Sequence, residues 1–579
     1  MSALWRRTRS ILAPSDGKTL ALLACAVGIA TGAGSALFIR LVELFQFWPA
    51  VRGQARLFGV TLTAPMLVAI PAVGGLLCGA VLQFVDPAVK GTGTPEVIQA
   101  IRRKGGFLSG RYTLVKLLAS VFTVCSGGAA GPEAPMVAAG AGVGSFVGRR
   151  MRLPGEYMRT LVAAGAAAGF ASIFNAPIAG VLFAIEVLLK EFGAQSFAMV
   201  IMATVTASVT TYLMLGNRVF VDVPSTYAFL HIGELVFYLA LGVLAALFSK
   251  LFIRSYFVVE KLFEKGFASP MARAGAGGLL LGLLGLLLPE ALGNSHLVIP
   301  KLIEAEAAHP WAWGLLLFVL FGKMIACPLT VGSGGSGGIF IPYLFMGAAL
   351  GGLVGRFVGA HFAWAAPSGA YMLVGMAAVF AGITSAPFTA IMLLFELTHD
   401  YNLILPVMFA VGVTVLVARA IDPLNLEGHK LLKKGVSLNE RPELRALEPY
   451  RLGDVMNRGV VCVPEDMTLK DLAAFVAANS HTGYPVVDRS GRAVGLLMFD
   501  ELRRALSAAN AENPPSAAAR DIMRAAPPTA SPDEPIEHAI RAMRRTGADR
   551  VLIVDPAGER AIGIVTKGDL LTIYRRFFD

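Results

Sequence analysis

One acidic residue, Glu133, lies in a glycine-rich interruption of an apolar stretch; the segment from Cys125 to Pro135 reads CSGGAAGPEAP. A carboxylate at the depth of a lipid bilayer is costly, so such a residue marks a functional site by default. A glycine-rich turn that leads into a helix leaves backbone N–H groups without partners, and these attract anions. We therefore expect Glu133 to be a gate that competes with a permeating anion for those donors. The alternative is that Glu133 only caps a helix.

Composition places most of the chain in a membrane. Of its 579 residues, 55% are hydrophobic and 15% are charged, whereas an ordinary soluble protein carries about 25% charged residues. The net charge of +11 would also suit a nucleic-acid-binding protein. The Lys and Arg residues lie mostly in loops and at the ends of apolar segments, however, which favours membrane anchoring. We therefore expect membrane lipid, and no nucleic acid, as a partner.

Apolar stretches must position Glu133, and they follow one another as far as residue 421. They cover residues 20–44, 60–85, 112–130, 159–190, 196–216, 232–254, 272–294, 311–330, 337–358, 370–397 and 402–421. Several are longer or shorter than the roughly 20 residues of a simple span, and Gly or Pro interrupts many of them, as in transporters with broken helices. The basic residues before the first stretch favour a cytoplasmic N-terminus, and the length of this stretch without a convincing cleavage site predicts that it is not removed. We expect a multi-pass protein in the inner membrane of a bacterium.

The apolar region contains an internal repeat. Residues 116–135 match residues 323–342, with Lys, Ser-Gly-Gly, Gly and Pro each recurring after 207 residues. Residues 175–187 match residues 385–397 through a shared Ala-Pro and Glu. Two matched blocks in the same order predict two homologous halves. We place these halves at residues 18–216 and 230–435, and the sequence leaves open whether they are parallel or inverted.

Three glycine-rich breaks follow in order: GTGTP at residues 91–95, GPEAP at 131–135 and GIFIP at 338–342. This order resembles the selectivity-filter motifs of the CLC chloride channels and proton/chloride exchangers. The resemblance covers roughly residues 20–435, within a transmembrane domain that we place at residues 1–435. It implies an all-α polytopic membrane protein built of two inverted halves of tilted and broken helices. It also implies a homodimer with one anion pathway in each subunit, chloride or a similar small anion as the transported ion, and neither a required cofactor nor a metal.

The resemblance assigns roles to single residues. Glu133 matches the family's gating glutamate, and the anion-binding positions are Thr92, Gly131, Ala134, Gly338, Ile339, Phe340 and Ile341. Two departures from the family pattern bear on the pathway. Pro132 replaces an arginine and brings no N–H, so one donor is lost. Residues 422–435 contain no tyrosine where the family usually has one, and the sequence leaves Asn425, Glu427 and His429 as candidates for its place.

A third departure bears on mechanism. Proton-coupled members of the family usually have a second glutamate where this chain has Val187. Valine cannot relay a proton, so we predict a passive, glutamate-gated chloride channel. A proton-coupled antiporter that uses another route, such as Glu186, is the alternative. Glu186 has a repeat partner in Glu396, which favours a structural role for both in capping or bridging helices.

The composition changes after residue 424. Residues 436–450 are interpreted as a linker, and residues 451–508 and 519–579 form a second repeat of short β-branched runs and helical patterns. This pair resembles two CBS domains, an α/β regulatory module in the cytoplasm that often binds adenine nucleotides. Thr566 and Asp569 match the positions that hold a ribose, whereas the first repeat lacks them. The alternative is a pair that serves only packing and coupling.

Other function classes find little support. An intramembrane enzyme would need a nucleophile beside a base, and no such His-Cys or Ser-His spacing is evident in the apolar segments. The five cysteines are scattered, with no pair at metal or redox spacing. We therefore predict that the chain is not an enzyme. An unrelated secondary anion carrier is the second alternative to a channel.

Overall fold

The structure is a computed structural model that falls into two compact units, Met1–Leu438 and Asn439–Asp579. It describes residues 17–45, 56–57, 60–61, 64–190, 193–216, 231–293, 295, 298–299, 302–303, 313–436, 450–479, 481–508, 517–555 and 560–578. The predicted linker, residues 436–450, lies almost entirely outside the described residues.

The first unit is helical. Its principal helices are α1 (Gly17–Phe45), α2 (Ala64–Phe84), α3 (Thr94–Arg103), α4 (Gly110–Cys125), α5 (Glu133–Met151), α6 (Gly155–Phe174), α7 (Pro177–Phe183), α8 (Ala194–Leu215), α9 (Glu234–Gly266), α10 (Pro270–Leu287), α11 (Trp313–Cys327), α12 (Phe340–His361), α13 (Ser368–Thr384), α14 (Pro387–Thr398), α15 (Ile404–Ile421) and α16 (Leu426–Lys433). A two-stranded ribbon joins β1 (Arg56–Leu57) and β2 (Val60–Thr61). Within the described residues, nine helices are long and apolar enough to cross a membrane.

Two of the predicted apolar stretches are each divided into two helices. Residues 159–190 break after α6, where Asn175 has φ 51°, and residues 370–397 break after α13, where Ser385 has φ 55°. A residue with left-handed backbone ends a helix, and Pro177 and Pro387 then begin the next helix at positions where the missing N–H costs nothing. The repeat therefore produces the same helix–break–helix unit in both halves.

Small residues allow the central helices to pack closely. A Cβ on Gly140 of α5 would lie 2.0 Å from the carbonyl oxygen of Gly165 on α6, so only glycine fits there. The second half repeats this contact between Gly347 of α12 and Gly375 of α13, where each Cβ would lie 2.3 Å from the other's carbonyl oxygen. Helices in membranes associate through such small-residue contacts. The pairs α5–α6 and α12–α13 thus form matching, buried centres of the two halves.

The two halves are inverted. The equivalent segments around Gly131 and Gly338 meet as an antiparallel bridge. A two-fold axis perpendicular to these segments relates equivalent segments in this way. Inverted repeats of this kind place their broken helices at the interface between the halves. The bridge agrees with the inverted arrangement, and the helical architecture confirms the expected fold.

The second unit holds two small α/β repeats. Its elements are α17 (Leu452–Val455), β3 (Val463–Pro464), α18 (Leu469–Ala478), β4 (Gly483–Val487), β5 (Ala493–Met498), α19 (Phe499–Ala508), α20 (Ala519–Ile522), β6 (Arg524–Ala525), β7 (Thr529–Ala530), α21 (Ile536–Thr546), β8 (Arg550–Val554), β9 (Ala561–Thr566) and α22 (Lys567–Phe578). Strands β3, β4, β5 and β6 form one sheet, and β7, β8 and β9 form the other. In each sheet the first pairing is parallel and the second antiparallel, so the sheets repeat one topology.

Candidate functional site

Two glycine-rich breaks cross at the centre of the first unit. The N–H of Gly131 donates to the carbonyl of Gly338, and the N–H of Gly338 donates to the carbonyl of Gly131, both at 2.7 Å. Helices α5 and α12 begin directly after this crossing. In this conformation the two glycines bond to each other, and the N-terminal amides of the helices that follow are the groups left to bind a negative charge.

Two threonines of the repeat stabilise the crossing. The hydroxyl of Thr123 accepts the N–H of Ser336, and the hydroxyl of Thr330 accepts the N–H of Ala129, each at 3.0 Å. Each hydroxyl also donates to a carbonyl of its own helical turn. Because each of these two hydroxyls has both a donor and an acceptor partner, each ties one half's break to a helix of the other half.

Glu133 binds across the interface between the halves. Its side chain is fully buried, and its Oε1 accepts the N–H groups of Phe340 at 2.8 Å and Ile341 at 3.3 Å. These amides open α12, whose N-terminus carries the positive end of the helix dipole. The carboxylate therefore caps a helix of the other half, and an anion seeking these two donors must first displace it.

The carboxylate fits because glycines surround it. A Cβ on Gly131 would lie 2.0 Å from Oε2 of Glu133, and a Cβ on Gly338 would lie 2.4 Å from its Cδ. Among the described side chains, Oε2 has no hydrogen-bond partner. The carboxylate is therefore held through Oε1 only. The buried Oε2, which has no partner in the described part of the chain, is energetically costly.

Aromatic rings enclose the GIFIP segment, residues 338–342. The ring of Phe340 lies 5.5 Å from that of Phe380, 5.8 Å from Phe183 and 5.9 Å from Phe170, measured between centroids. Phe340 itself is buried. Such packing fixes the start of α12 and keeps water from the amides that bind Glu133, which strengthens their interaction with a negative charge.

The first of the three breaks, GTGTP at residues 91–95, contacts the segment that leads into Gly338. The N–H of Gly91 donates to Gly335 at 3.1 Å, and the N–H of Gly337 donates to Gly91 at 3.3 Å. Thr92 follows immediately and is buried, with 3% of its surface exposed. All three sequence motifs are therefore brought together, although the residues that carry them are up to 250 positions apart.

Two repeat-related lysines hold backbone turns. The ammonium of Lys116 donates to the carbonyl groups of Val89 and Gly91, and that of Lys323 donates to the carbonyls of residues 291–293. Both side chains are fully buried, so neither extends to the membrane surface. Each places a positive charge at the end of a short helical turn, where carbonyl oxygens accumulate.

Glu186 and Glu396 cap helices of opposite halves. Glu186 accepts two backbone N–H groups in the first turn of α14 at 2.9 and 3.3 Å, and Glu396 accepts two in the first turn of α7 at 2.7 and 2.9 Å. This reciprocal arrangement confirms the helix-capping role that the repeat favours. Val187, next to Glu186, lies partly buried against the core in a π-helical turn, Ala184–Leu189.

Of the three candidates for the place of the tyrosine, one faces Thr92. Glu427 is 6% exposed, and its Oε1 lies 3.3 Å from the Thr92 hydroxyl. Asn425 instead caps the first turn of α16, and His429 pairs with Asp422 at 2.7 Å. The helical turn of α16 decides this outcome because it sets which side chains point inward.

Two residues that the sequence did not single out lie beside Glu427. Lys430 is one helical turn further along α16, and Tyr256 comes from α9; the Lys430 ammonium lies 4.8 Å from the centre of the Tyr256 ring. Both line a cavity of about 530 Å³ that also reaches Lys90 and Thr92. A helical spacing of three residues between Glu427 and Lys430 was the one available signal.

The second unit has a cavity of its own, of about 140 Å³, between its two repeats. Thr566 and Asp569 line it, together with Thr482 and Arg550. The Thr566 hydroxyl donates to Asp569 at 2.8 Å, and the Arg550 guanidinium donates to Thr482 at 3.1 Å. A hydrogen bond from Arg550 also holds the pKa of Asp549 below its ordinary value. The cavity thus combines hydroxyl, carboxylate and guanidinium groups.

Comparisons with known proteins agree with this architecture. A ClcB-like chloride channel protein from Ralstonia nicotianae is 35% identical over 67% of this chain and 90% of its own length. The H(+)/Cl(-) exchange transporter ClcA of Klebsiella pneumoniae is 32% identical over 57% of this chain and 71% of its own. The crystal structure of a slow cyanobacterial Cl-/H+ antiporter covers 73% of this chain and 99% of its own, with 24% identity and a TM-score of 0.65.

Family assignments cover both units. The sequence model described as voltage gated chloride channel matches residues 74–419, which is more than half of the chain. The CBS domain model matches residues 452–508 and 519–576. This protein is therefore an integral multi-pass membrane protein of the voltage-gated chloride channel (CLC) family with a C-terminal pair of CBS domains.

Proposed function

We propose that this protein moves chloride or a similar small anion across the membrane, through the crossing of its broken helices, with Glu133 as the gate. The observation that carries the proposal is the Glu133 carboxylate on the N–H groups of Phe340 and Ile341. A negative group already occupies these donors, so the site accepts an anion. When Glu133 is protonated or displaced, the same donors are free for chloride.

The anion site in this proposal consists of dipoles and a hydroxyl. Thr92 contributes its hydroxyl, and Ala134, Ile339, Phe340 and Ile341 contribute backbone amides. Dipoles without a full positive charge bind an anion weakly enough for it to leave, which conduction requires. Gly131 and Gly338 contribute space for the carboxylate, and their own N–H groups hold the crossing.

Passive conduction is the mode that the residues support best. Val187 cannot carry a proton, and the adjacent Glu186 already accepts backbone amides and the Thr389 hydroxyl, the latter at 2.7 Å. A carboxylate so engaged as a helix cap is a poor proton relay. The second candidate function is a proton-coupled antiporter with another proton route. The ClcA relative, which is named an exchange transporter, supports this alternative.

The reversal potential of the purified protein separates these modes. In liposomes under opposed chloride and pH gradients, we expect the reversal potential to follow the chloride gradient alone. A shift with the pH gradient at fixed chloride would instead show coupled exchange. Absence of any chloride current above that of empty liposomes would contradict anion transport itself.

We further propose the assembly and orientation that the family resemblance implies. The protein would be a homodimer with one pathway in each subunit. Its N-terminus and CBS pair would lie in the cytoplasm, in the inner membrane of a bacterium. The basic residues near the N-terminus support this orientation, since cytoplasmic segments carry an excess of Lys and Arg.

An adenine nucleotide at the CBS pair would bind in the cavity that Thr566 and Asp569 line. Asp569 would accept the ribose hydroxyls, and Arg550 would face the phosphates. We expect Asp569→Asn to weaken ATP binding on the order of tenfold, because a hydrogen bond to a charged acceptor contributes about 1.5 kcal/mol or more. Calorimetric titration of the full-length protein measures this. Asp466→Asn, an exposed change in the other repeat, is the control, and equal affinities would remove Asp569 from the site.

A further inference from the structure

Thr92, Glu427 and Lys430 form a largely buried cluster in which the Thr92 hydroxyl donates to one partner at a time. The single proton of the Thr92 hydroxyl points to Glu427 at 3.3 Å, while the Lys430 ammonium donates to the Thr92 oxygen at 3.3 Å. Lys430 lies 3.5 Å from Glu427 itself. Because a hydroxyl has one proton, Thr92 cannot donate to an anion while it donates to Glu427.

The cluster forms one wall of the 530 Å³ cavity. Thr92 and Lys430 line this cavity directly, and Glu427 lies behind them with 6% of its surface exposed. Thr92 is also tied to the crossing of the broken helices through its neighbour Gly91. An anion that travels between the cavity and the crossing therefore passes this cluster.

We propose that Glu427 and Lys430 form a second acidic gate at the cavity end of the pathway, separate from Glu133. The inference rests on the proposed anion transport. Ionised Glu427 repels an incoming anion and keeps the Thr92 proton. When Glu427 is neutral, the Thr92 hydroxyl turns to the anion, and the Lys430 ammonium attracts it.

The other charged groups near the cluster are already paired. Lys90 and Lys433 each contact both Glu260 and Glu264 at 2.9–3.1 Å, and Lys434 contacts Glu96. Ionisable groups around the cluster thus come from α3, α4, α9, α12 and α16, from the residue after α16 and from the loop before α3: Glu96, Lys116, Tyr256, Glu260, Glu264, Tyr343, Lys433, Lys434 and Lys90. Of the cavity-lining lysines, Lys430 has Glu427 as its ion-pair partner.

The test compares Glu427→Gln with Glu264→Gln in chloride flux from liposomes, with pH varied on each side. Both changes remove one negative charge from the surroundings of the cavity, but only the first weakens the hydrogen bond that the Thr92 hydroxyl donates, because a neutral amide oxygen is a weaker acceptor than a carboxylate. We expect Glu427→Gln to raise flux on the order of tenfold at neutral pH, since a full charge so close to an anion acts strongly in a buried site. We also expect it to remove the response to pH on the cavity side, whereas Glu264→Gln should keep that response.

The gate at Glu133 provides the second readout. In a Glu133→Gln background, any remaining response to pH on the cavity side should disappear when Glu427→Gln is added. If Glu427→Gln does not yield folded protein, Lys430→Met should still lower flux several-fold, with Lys433→Met as its control. Flux and pH response of Glu427→Gln equal to the wild type would overturn the second gate and leave anion transport standing. Absence of chloride flux through the wild-type protein would overturn both the second gate and the proposed anion transport.

Discussion

Chloride flux through the Glu133→Ala variant is expected to exceed that of the wild type and to lose the pH dependence that Glu133 confers, while any response to pH on the cavity side remains. In the wild type, the carboxylate holds two amides at the start of α12, at 2.8 and 3.3 Å. Each hydrogen bond to a charged group is worth about 1.5–3 kcal/mol. The two bonds together amount to at least about 3 kcal/mol. Removing this competitor should therefore raise the anion's occupancy on the order of a hundredfold or more, because about 1.4 kcal/mol corresponds to a factor of ten.

The glutamine variant refines this result. Glu133→Gln keeps the shape of the side chain and one acceptor oxygen but not the charge, and charge-assisted bonds are roughly twice as strong as neutral ones. Its flux should therefore lie between that of the wild type and that of Glu133→Ala, without the response to pH that Glu133 confers. Liposome efflux from pH 4 to 8 measures all three proteins, and Glu156→Gln, an exposed acid on α6, is the matched control. A Glu133→Ala protein that responds to pH as the wild type does would remove Glu133 from the gate.

Gly131→Ala should open the pathway although Glu133 itself is not mutated. The added Cβ would lie 2.0 Å from Oε2 of Glu133, and its three nearest atoms all belong to that side chain. The carboxyl group ends a flexible side chain, so it should rotate away while the backbone stays in place. We expect flux to rise toward that of Glu133→Ala, on the order of tenfold, since the displaced carboxylate loses at least one charged hydrogen bond of about 1.5 kcal/mol.

A double-mutant cycle separates this mechanism from general damage. In a Glu133→Ala background, Gly131→Ala should add less than about twofold, because the group it displaces is already gone. Gly412→Ala, at a helical glycine with no atom within 4 Å of the added Cβ, controls for the loss of a glycine. Equal effects of Gly131→Ala in both backgrounds would show that it acts independently of Glu133.

Much of the site can be predicted from the sequence because the features that form it depend on neighbouring residues. Apolar stretches predict membrane helices, and Gly and Pro predict where these helices break. Breaks expose amides, so an acid within one of them predicts competition with an anion. The 207-residue repeat predicts equivalent groups in two halves. In this way the sequence led to Glu133, to its glycines and to the helix N-termini of both halves.

Contacts between distant segments decided the rest. Which amides Glu133 binds depends on how α5 and α12 meet, and these helices are 207 residues apart. Glu427, and neither Asn425 nor His429, reaches Thr92 because α16 packs with one face inward. Lys116 and Lys323 hold buried turns, and no local pattern in the sequence predicts this role.

Hydropathy, helix breaks and repetition are properties of neighbouring residues, and so the sequence by itself determined the helices, the two halves and the acid at the break. The inverted orientation of the halves, the donors of Glu133 and the second acid beside Thr92 depend on close packing of segments far apart in the chain. Packing of this kind is decided by shape across the whole interface. Only the tertiary structure could therefore place these groups against one another.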